Sequence, residues 1–165
     1  MKRALAFLFI AALAGGSGCY HLGPVSKLSY RSVAVPVFKN KTLKPQLEAQ
    51  ISNAIIKRIQ ADGTLRVEWE ADADIVVTGT ILRFDRTVLR FQTDDSQVPR
   101  EYRLSIEAMV EAHDHAGHVV LAPQSITGHA DTFLGNDLQS AEQQALPLIA
   151  DDLARQIVSR LVERW

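Results

Sequence analysis

The sequence predicts an α+β fold, in which two amphipathic helices accompany a sheet of four to five strands. The clearest evidence is the segment 102–113, where six apolar residues occupy alternate positions, as in a strand with one buried and one wet face. Apolar residues at helical spacing over 47–59 and 145–161 predict a helix in each region. The chain of 165 residues is long enough for these elements to share one core.

The first half of the predicted domain contains two short strands on either side of a helix. One strand is expected over 33–38, where Pro36 removes a ladder donor and therefore indicates an edge or a bulge. Pro45 is expected to begin the helix, and Gly63 is expected to end it in a left-handed conformation. The second short strand follows over 65–69.

The second half contains the long strands and the last helix. The segment 75–89 is apolar and β-branched, and Gly79 is expected to be a bulge or a close-approach site. A bend is expected there because strands beyond about ten residues are uncommon. A turn after the alternating segment returns the chain in a partner strand, which Pro123 is expected to interrupt. Ser140 begins a capping box for the last helix, in which Pro147 is expected to cause a kink or a later start.

An export signal precedes the domain. Lys2 and Arg3 are followed by an apolar run over 4–14 that is too short to span a bilayer. Ser17-Gly18-Cys19 then resembles the lipobox of bacterial lipoproteins, with Gly16 where Leu is usual; the alternative is an ordinary signal peptide with a stray cysteine. We predict that Cys19 is the lipid-attachment site and that the chain divides into a cleaved lipoprotein signal peptide (1–18), a lipidated tether (19–32) and a single α/β domain (33–165).

This anchor would place the mature protein at a membrane surface. Attachment by two or more acyl chains is stable because each buried methylene contributes about 0.8 kcal/mol. The residue after the cysteine is Tyr20 and not Asp. By resemblance to the sorting rules of bacterial lipoproteins, this favours delivery to the outer membrane over retention at the inner membrane. From Cys19 to Arg66 eight basic residues oppose two acidic ones, a net charge of +6. This charge suits an anionic membrane surface, or belongs to the solvated faces of a helix and a tether.

The sequence contains no recognisable catalytic set. It has no glycine-rich phosphate loop, and its single cysteine is assigned to the anchor. His113, His115 and His118 surround a hairpin turn and are candidate metal ligands, but no Cys or second ligand pair has metal-site spacing. We therefore expect no enzymatic activity, metal, cofactor or nucleic-acid partner.

The segment that joins the two longest strands is the candidate binding site. It brings Arg86, Arg90 and Arg100 together with the apolar side chain of Phe91. Guanidinium groups pair well with phosphate and apolar side chains contact acyl tails, so this combination suits a phosphorylated amphiphile. The alternative is a hairpin loop with ordinary surface arginines.

Short motifs in a fixed order resemble the lipopolysaccharide-assembly lipoprotein family, LptE. They cover nearly all of the chain, and their order carries the resemblance more than any single motif does. The motifs are Gly18-Cys19-Tyr20-His21-Leu22, Val33-Ala34-Val35-Pro36-Val37-Phe38-Lys39-Asn40-Lys41-Thr42, Pro45-Gln46-Leu47-Glu48, the segment 73–79, Glu101-Tyr102-Arg103-Leu104, and Asp151-Asp152-Leu153-Ala154 with Gln156-Ile157.

The resemblance implies two helices packed on one face of a mixed sheet. It also implies two partners: an LptD-like outer-membrane β-barrel, whose lumen would hold the domain, and lipopolysaccharide. The protein would be an outer-membrane lipoprotein with a periplasm-facing anchor that supports assembly of the barrel, plugs it and binds lipopolysaccharide during its delivery to the cell surface. Arg86, Arg90, Phe91 and Arg100 are the contacts expected on physical grounds.

A second hypothesis is a periplasmic outer-membrane lipoprotein that activates or scaffolds an envelope enzyme. The stretch 33–42 also resembles factors of that kind, so it does not discriminate between the two hypotheses. Co-purification does, because the first hypothesis requires a barrel partner that survives detergent.

Overall fold

The computed structural model describes residues 30–91, 99–133 and 137–162. The predicted signal peptide and Cys19 lie outside these ranges. Within them the chain forms six strands and two helices. In chain order these are β1 (Ser32–Ala34), β2 (Lys39–Asn40), α1 (Leu47–Asp62), β3 (Arg66–Val67), β4 (Ile75–Phe91), β5 (Pro99–Asp114), β6 (Val119–Phe133) and α2 (Leu138–Val162).

The strands form one mixed sheet in the order β3-β1-β4-β5-β6, with β2 also paired to β4. The pairs that involve β1, β2 and β3 are parallel, whereas β4, β5 and β6 form an antiparallel meander. Both helices pack against each other, and their buried side chains join those of the sheet in one core. The predicted α+β fold is confirmed; β3 lies within the strand expected over 65–69, and β2, which was not expected, brings the sheet to six strands.

The core lies between the two helices and one face of β5. Five alternate residues of β5 are fully buried: Leu104, Ile106, Ala108, Val110 and Ala112. The helices supply equally buried partners, among them Ile51, Ile55, Ile149, Leu153 and Ile157. Burial of an aliphatic side chain of this size contributes about 1.5–3 kcal/mol, so this layer holds the domain together. The opposite face of the sheet, here called the open face, carries polar side chains.

The strand expected over 33–38 ends early, at Ala34, and the next strand, β2, begins only at Lys39. Val35 to Phe38 lie between β1 and β2, and Pro36, which has no N–H to donate, lies in this gap. Phe38 then folds into the core against Gly79, where an added Cβ would lie 2.2 Å from the Phe38 ring. Of the two roles expected for Gly79, close approach is therefore the correct one, and the bulges of β4 lie at Leu82 and Leu89.

Strand β6 is continuous past Pro123, contrary to the expected interruption. The pairing of β5 with β6 shifts register at this point, since Val110 pairs with Gln124 and Ala112 with Leu121. The bulge accommodates Pro123, so the strand continues past it.

Helix α2 begins at Leu138, before the expected capping box at Ser140. The capping side chain is that of Asp137, which accepts hydrogen bonds from Ser140 N (2.6 Å) and Ser140 Oγ (2.8 Å). These bonds lower the pKa of Asp137. The helix runs on through Pro147 to Val162, so the expected later start does not occur, and the expected kink stays a prediction.

Helix α1 begins two residues later than expected. Gln46 precedes it with a φ of 68°, so Pro45 lies outside the helix. Its end agrees with the prediction, since Gly63 is left-handed (φ 75°) and donates its N–H to Ile59 O at 3.0 Å. No helix in the described ranges is both long and apolar enough to cross a membrane.

Candidate functional site

The chain enters the domain next to the start of β4. Asp74 Oδ2 accepts hydrogen bonds from the N–H groups of Arg31 (2.7 Å) and Ser32 (3.0 Å), and Asp74 N donates to Ser32 Oγ at 2.9 Å. The two backbone hydrogen bonds are the main reason why the pKa of Asp74 is lowered. The segment that leads from the predicted anchor would therefore enter the domain at the end of the sheet where β1 and β4 begin.

The predicted lipopolysaccharide contacts lie at the other end of β4, but on different faces. Arg86 pairs with Leu104, which faces the helices, and its Nη1 is 3.1 Å from Glu142 Oε1 in α2. Leu89 is the extra residue of a bulge, so the alternation reverses before Arg90. Arg90 Nε lies 3.2 Å from Glu101 Oε2 on the open-face side. The structure therefore does not bring Arg86 and Arg90 together.

The far end of the meander is apolar and exposed. Phe91 is 51% exposed and pairs with Pro99, while Phe133 is 64% exposed and pairs with Glu101 on β5. Arg100 is exposed and is the extra residue of a bulge on β5. This end of the meander therefore exposes two aromatic rings and the side chain of Arg100, and its binding of a phosphorylated amphiphile stays a prediction.

A second basic site lies on the helix side of the sheet and was not predicted. Glu142 is only 8% exposed and forms ion pairs with both Lys44 and Arg86. Lys44 Nζ also lies 4.8 Å from the centroid of the Phe84 ring, a cation–π distance. In the sequence, Glu142 stands only within the capping-box segment that begins at Ser140. Its ion-pair partner Lys44 is 98 residues away in the chain.

The open face carries a ladder of paired charges across β4, β5 and β6. Arg83 Nε donates to Glu107 Oε2 at 2.8 Å, and Ser125 Oγ donates to Glu107 Oε1 at 2.5 Å. Ser125 and then Arg83 lower the pKa of Glu107. Arg103 makes two hydrogen bonds to Asp131, at 2.7 and 2.9 Å. This face is therefore polar, with its charges matched in pairs.

The three histidines around the hairpin turn have separate surroundings. His118 Nδ1 is 2.8 Å from Asp114 Oδ2, His113 Nε2 is 3.4 Å from Glu111 Oε2, and His115 is exposed. Within residues 30–91, 99–133 and 137–162, no group of three His, Cys, Asp or Glu side chains is placed to hold a metal ion.

Solved structures share this fold at low sequence identity. A protein from Xanthomonas campestris aligns with a TM-score of 0.59 and 11% identity, over 81% of this chain and 86% of that chain. An uncharacterized lipoprotein B from Nitrosomonas europaea aligns with a TM-score of 0.53 and 16% identity, over 89% and 96% of the two chains. A minor lipoprotein from Acinetobacter baumannii gives 0.51 and 16%, over 83% and 96%. At these identities the likeness shows the fold alone.

Sequence comparison identifies the family. No curated protein matches the chain. The family model LptE, described as lipopolysaccharide-assembly, matches residues 30–161, which is most of the chain. Within the described residues, the matched range contains all six strands, the whole of α1, and α2 as far as Leu161. The chain therefore belongs to the LptE family of lipopolysaccharide-assembly proteins.

Proposed function

We propose that this protein is an outer-membrane lipoprotein that supports assembly of the LptD β-barrel translocon, plugs it, and binds lipopolysaccharide during its delivery to the cell surface. The observation that carries the proposal is the family match over residues 30–161. The protein acts as a binding and assembly subunit and not as an enzyme. Cys19 carries the lipid anchor, and the domain lies in the barrel lumen.

The open face supports the placement in a barrel. The interior of a large outer-membrane barrel is polar, so a domain inside it must present polar surface to the wall. The pairs Arg83–Glu107 and Arg103–Asp131 give the open face charge without a net excess of either sign. Such a surface fits a wet, polar wall better than it fits the hydrocarbon of the bilayer.

The far end of the meander supports the binding of lipopolysaccharide. Arg90 and Arg100 supply guanidinium groups for phosphate, and Phe91 supplies an exposed ring for acyl chains. Arg86, the fourth predicted contact, lies on the opposite side of the sheet, next to Glu142, and is not part of this group.

Co-purification tests the proposal against the alternative of an envelope enzyme activator. The full-length protein, with a C-terminal affinity tag, is expressed in its source bacterium and recovered from outer membranes in mild detergent. An unrelated outer-membrane lipoprotein with the same tag is the control. We expect LptD to be retained with this protein and not with the control. Recovery of only a soluble or peptidoglycan-linked enzyme would support the alternative and overturn the proposal.

A further inference from the structure

The loop between β2 and α1 has a fixed conformation. Asn40 Nδ2 donates to Lys44 O and to Glu48 Oε2, both at 2.8 Å. Asn40 Oδ1 accepts from Thr42 N at 2.9 Å and from Thr42 Oγ1 at 2.8 Å. Lys41 N donates to Ile81 O at 3.0 Å, which attaches the loop to β4. One asparagine side chain thus bonds to Thr42 and Lys44 within the six-residue loop 41–46 and to Glu48 in the first turn of α1.

This fixed loop presents a leucine entirely to solvent. The relative exposure of Leu43 is 104%, the highest among the exposed large apolar side chains of the described residues. Lys41 and Lys44 flank it, and the segment 39–46 contains three lysines and no carboxylate. A loop held by hydrogen bonds cannot fold inward to cover its leucine. Leu43 is therefore available to an apolar partner beside two cations.

The loop forms one wall of a cleft of about 660 Å³. The opposite wall is the segment 82–86 of β4, and Glu142 of α2 lies between them. Six charged side chains line the cleft, four of them cationic and two anionic, so their net charge is +2. They are Lys41, Lys44, Arg83, Arg86, Asp85 and Glu142. Arg83 and Asp85 lie 4.0 Å apart and offset each other.

Glu142 positions two of the remaining cations. Its carboxylate pairs with both Lys44 and Arg86, so these side chains converge on one point of the cleft. Glu142 has a side-chain exposure of 11%, while Lys44 and Arg86 have 26% and 48%, so the cations are more accessible than the carboxylate beneath them. Lys41 adds a third cation, also exposed. Converging cations with partial exposure suit a phosphate group.

We propose that this cleft binds a phosphorylated acyl lipid, with the phosphate between Lys41, Lys44 and Arg86 and an acyl chain against Leu43. This inference rests on the proposed function, for which it names a lipid-binding site separate from Arg90, which lies on the other side of the sheet. The shared chemistry, a phosphate next to an acyl chain, occurs in lipopolysaccharide and in anionic phospholipids. Both sources are therefore tested.

The test compares two matched double variants of the full-length protein. Lys41→Gln with Leu43→Ser alters the cleft, whereas Lys57→Gln with Leu148→Ser alters an exposed lysine and an exposed leucine on the outer surfaces of α1 and α2. Binding is measured with purified lipopolysaccharide, with the same lipopolysaccharide after removal of its phosphates, and with phosphatidylglycerol vesicles. Co-purification of LptD is measured for each variant in parallel.

We expect the cleft variant to bind lipopolysaccharide about tenfold or more weakly, since one lysine near an anionic lipid is worth about fivefold and an apolar contact adds to it. The control pair should remain within twofold. Removal of the phosphates should weaken binding to the unaltered protein and reduce the difference between the variants to the part that the apolar contact of Leu43 contributes. An equal loss on phosphatidylglycerol supports a site for phosphorylated lipids in general, and a loss restricted to lipopolysaccharide supports a site for that lipid.

Unchanged affinity of the cleft variant, with LptD still retained, would overturn this inference and leave the proposed function intact. Equal losses in the cleft and control variants would also overturn it. Failure of the unaltered protein to retain LptD would instead count against the proposed function, whatever the lipid affinities.

Discussion

At the scale of single residues, Asp74 fixes the point where the chain enters the domain. Its carboxylate accepts hydrogen bonds from two consecutive backbone N–H groups, those of Arg31 and Ser32. These bonds stabilise the ionised carboxyl group and lower its pKa. Because the folded pKa lies below the unfolded value, Asp74 stabilises the fold above the unfolded pKa, and this contribution is lost as the pH falls through the folded pKa.

Replacement of Asp74 by Asn should lower the free energy of unfolding at pH 7. The difference from the unaltered protein should shrink as the pH falls from about 3.9, the ordinary pKa of aspartate, through the lower pKa of the folded state, below which the carboxyl group is protonated in both states. Urea unfolding at several pH values measures this. A difference that stays constant down to pH 2 would show that ionisation of Asp74 does not contribute.

Asn40 has the corresponding role in the β2–α1 loop. Its replacement by Ala removes the bonds to Lys44 O, Glu48 and Thr42, and should destabilise the protein by about 1–3 kcal/mol. Asn53→Ala is the matched control, because Asn53 is exposed on α1. Urea unfolding of both variants gives the comparison, and equal stabilities would contradict the assigned role of Asn40.

These residue roles could not be predicted from the sequence. The neighbours of Asp74 and Glu142 in the chain do not indicate these roles, because both roles depend on partners that are distant in the sequence. The partners of Asp74 lie 42 and 43 residues earlier, and Lys44 lies 98 residues before Glu142. Gly63 was predicted correctly because a helix end depends on residues within one turn.

At the scale of elements, α2 covers the outer edge of the sheet. Gln156 Nε2 donates to Thr127 O at 2.9 Å, and Asp152 Oδ2 accepts from His129 N at 3.0 Å, so side chains of the helix pair with backbone groups of β6. An uncovered edge strand invites pairing with other chains. The close approach depends on Gly128, where an added Cβ would lie 2.7 Å from Ile149 O.

Gly128→Ala should therefore destabilise the protein by about 1–3 kcal/mol, because the contact is with the helix backbone, which cannot rotate away. Thr127→Ala, at the exposed neighbouring position, should change stability by less than about 0.5 kcal/mol. Thermal and urea unfolding check both values. A neutral Gly128→Ala would mean that α2 does not lie this close to β6.

Periodicity predicted the long strands and both helices but not the bulges. The alternation in β5 is regular, and its buried face was predicted residue by residue. In β4 the extra residues Leu82 and Leu89 each reverse the alternation, and their positions depend on the pairing with β5. Because the bulges could not be predicted, the sequence indicated that Arg86 and Arg90 share one site. The bulge at Leu89 puts the two side chains on different faces of the sheet.

At the scale of the whole molecule, one face of the sheet is covered by helices and the other is polar. The chain enters at the start of β4, and the exposed aromatic rings of Phe91 and Phe133 lie at the far end. A lipid anchor on Cys19 would thus hold one end of the domain near the membrane, while the other end carries the proposed lipid contacts. The two ends would serve attachment and cargo binding respectively.

Cys19→Ser tests the attachment. The variant should carry no acyl chains, and it should leave membranes from which LptD has been depleted, since the anchor supplies most of the affinity for the lipid bilayer itself. Mass spectrometry of the variant and fractionation of LptD-depleted cells, with the unaltered protein in parallel, measure both changes. Acyl chains on the variant, or its full retention in membranes that lack LptD, would contradict the lipid anchor.

The central claim is that this protein is required for lipopolysaccharide to reach the cell surface. The most direct measurement is the amount of surface lipopolysaccharide in the source bacterium after depletion of the protein, with the unaltered gene restored as the control. We predict that surface lipopolysaccharide and folded LptD both fall on depletion and both return when the gene is restored. Unchanged surface lipopolysaccharide after complete depletion would contradict the account.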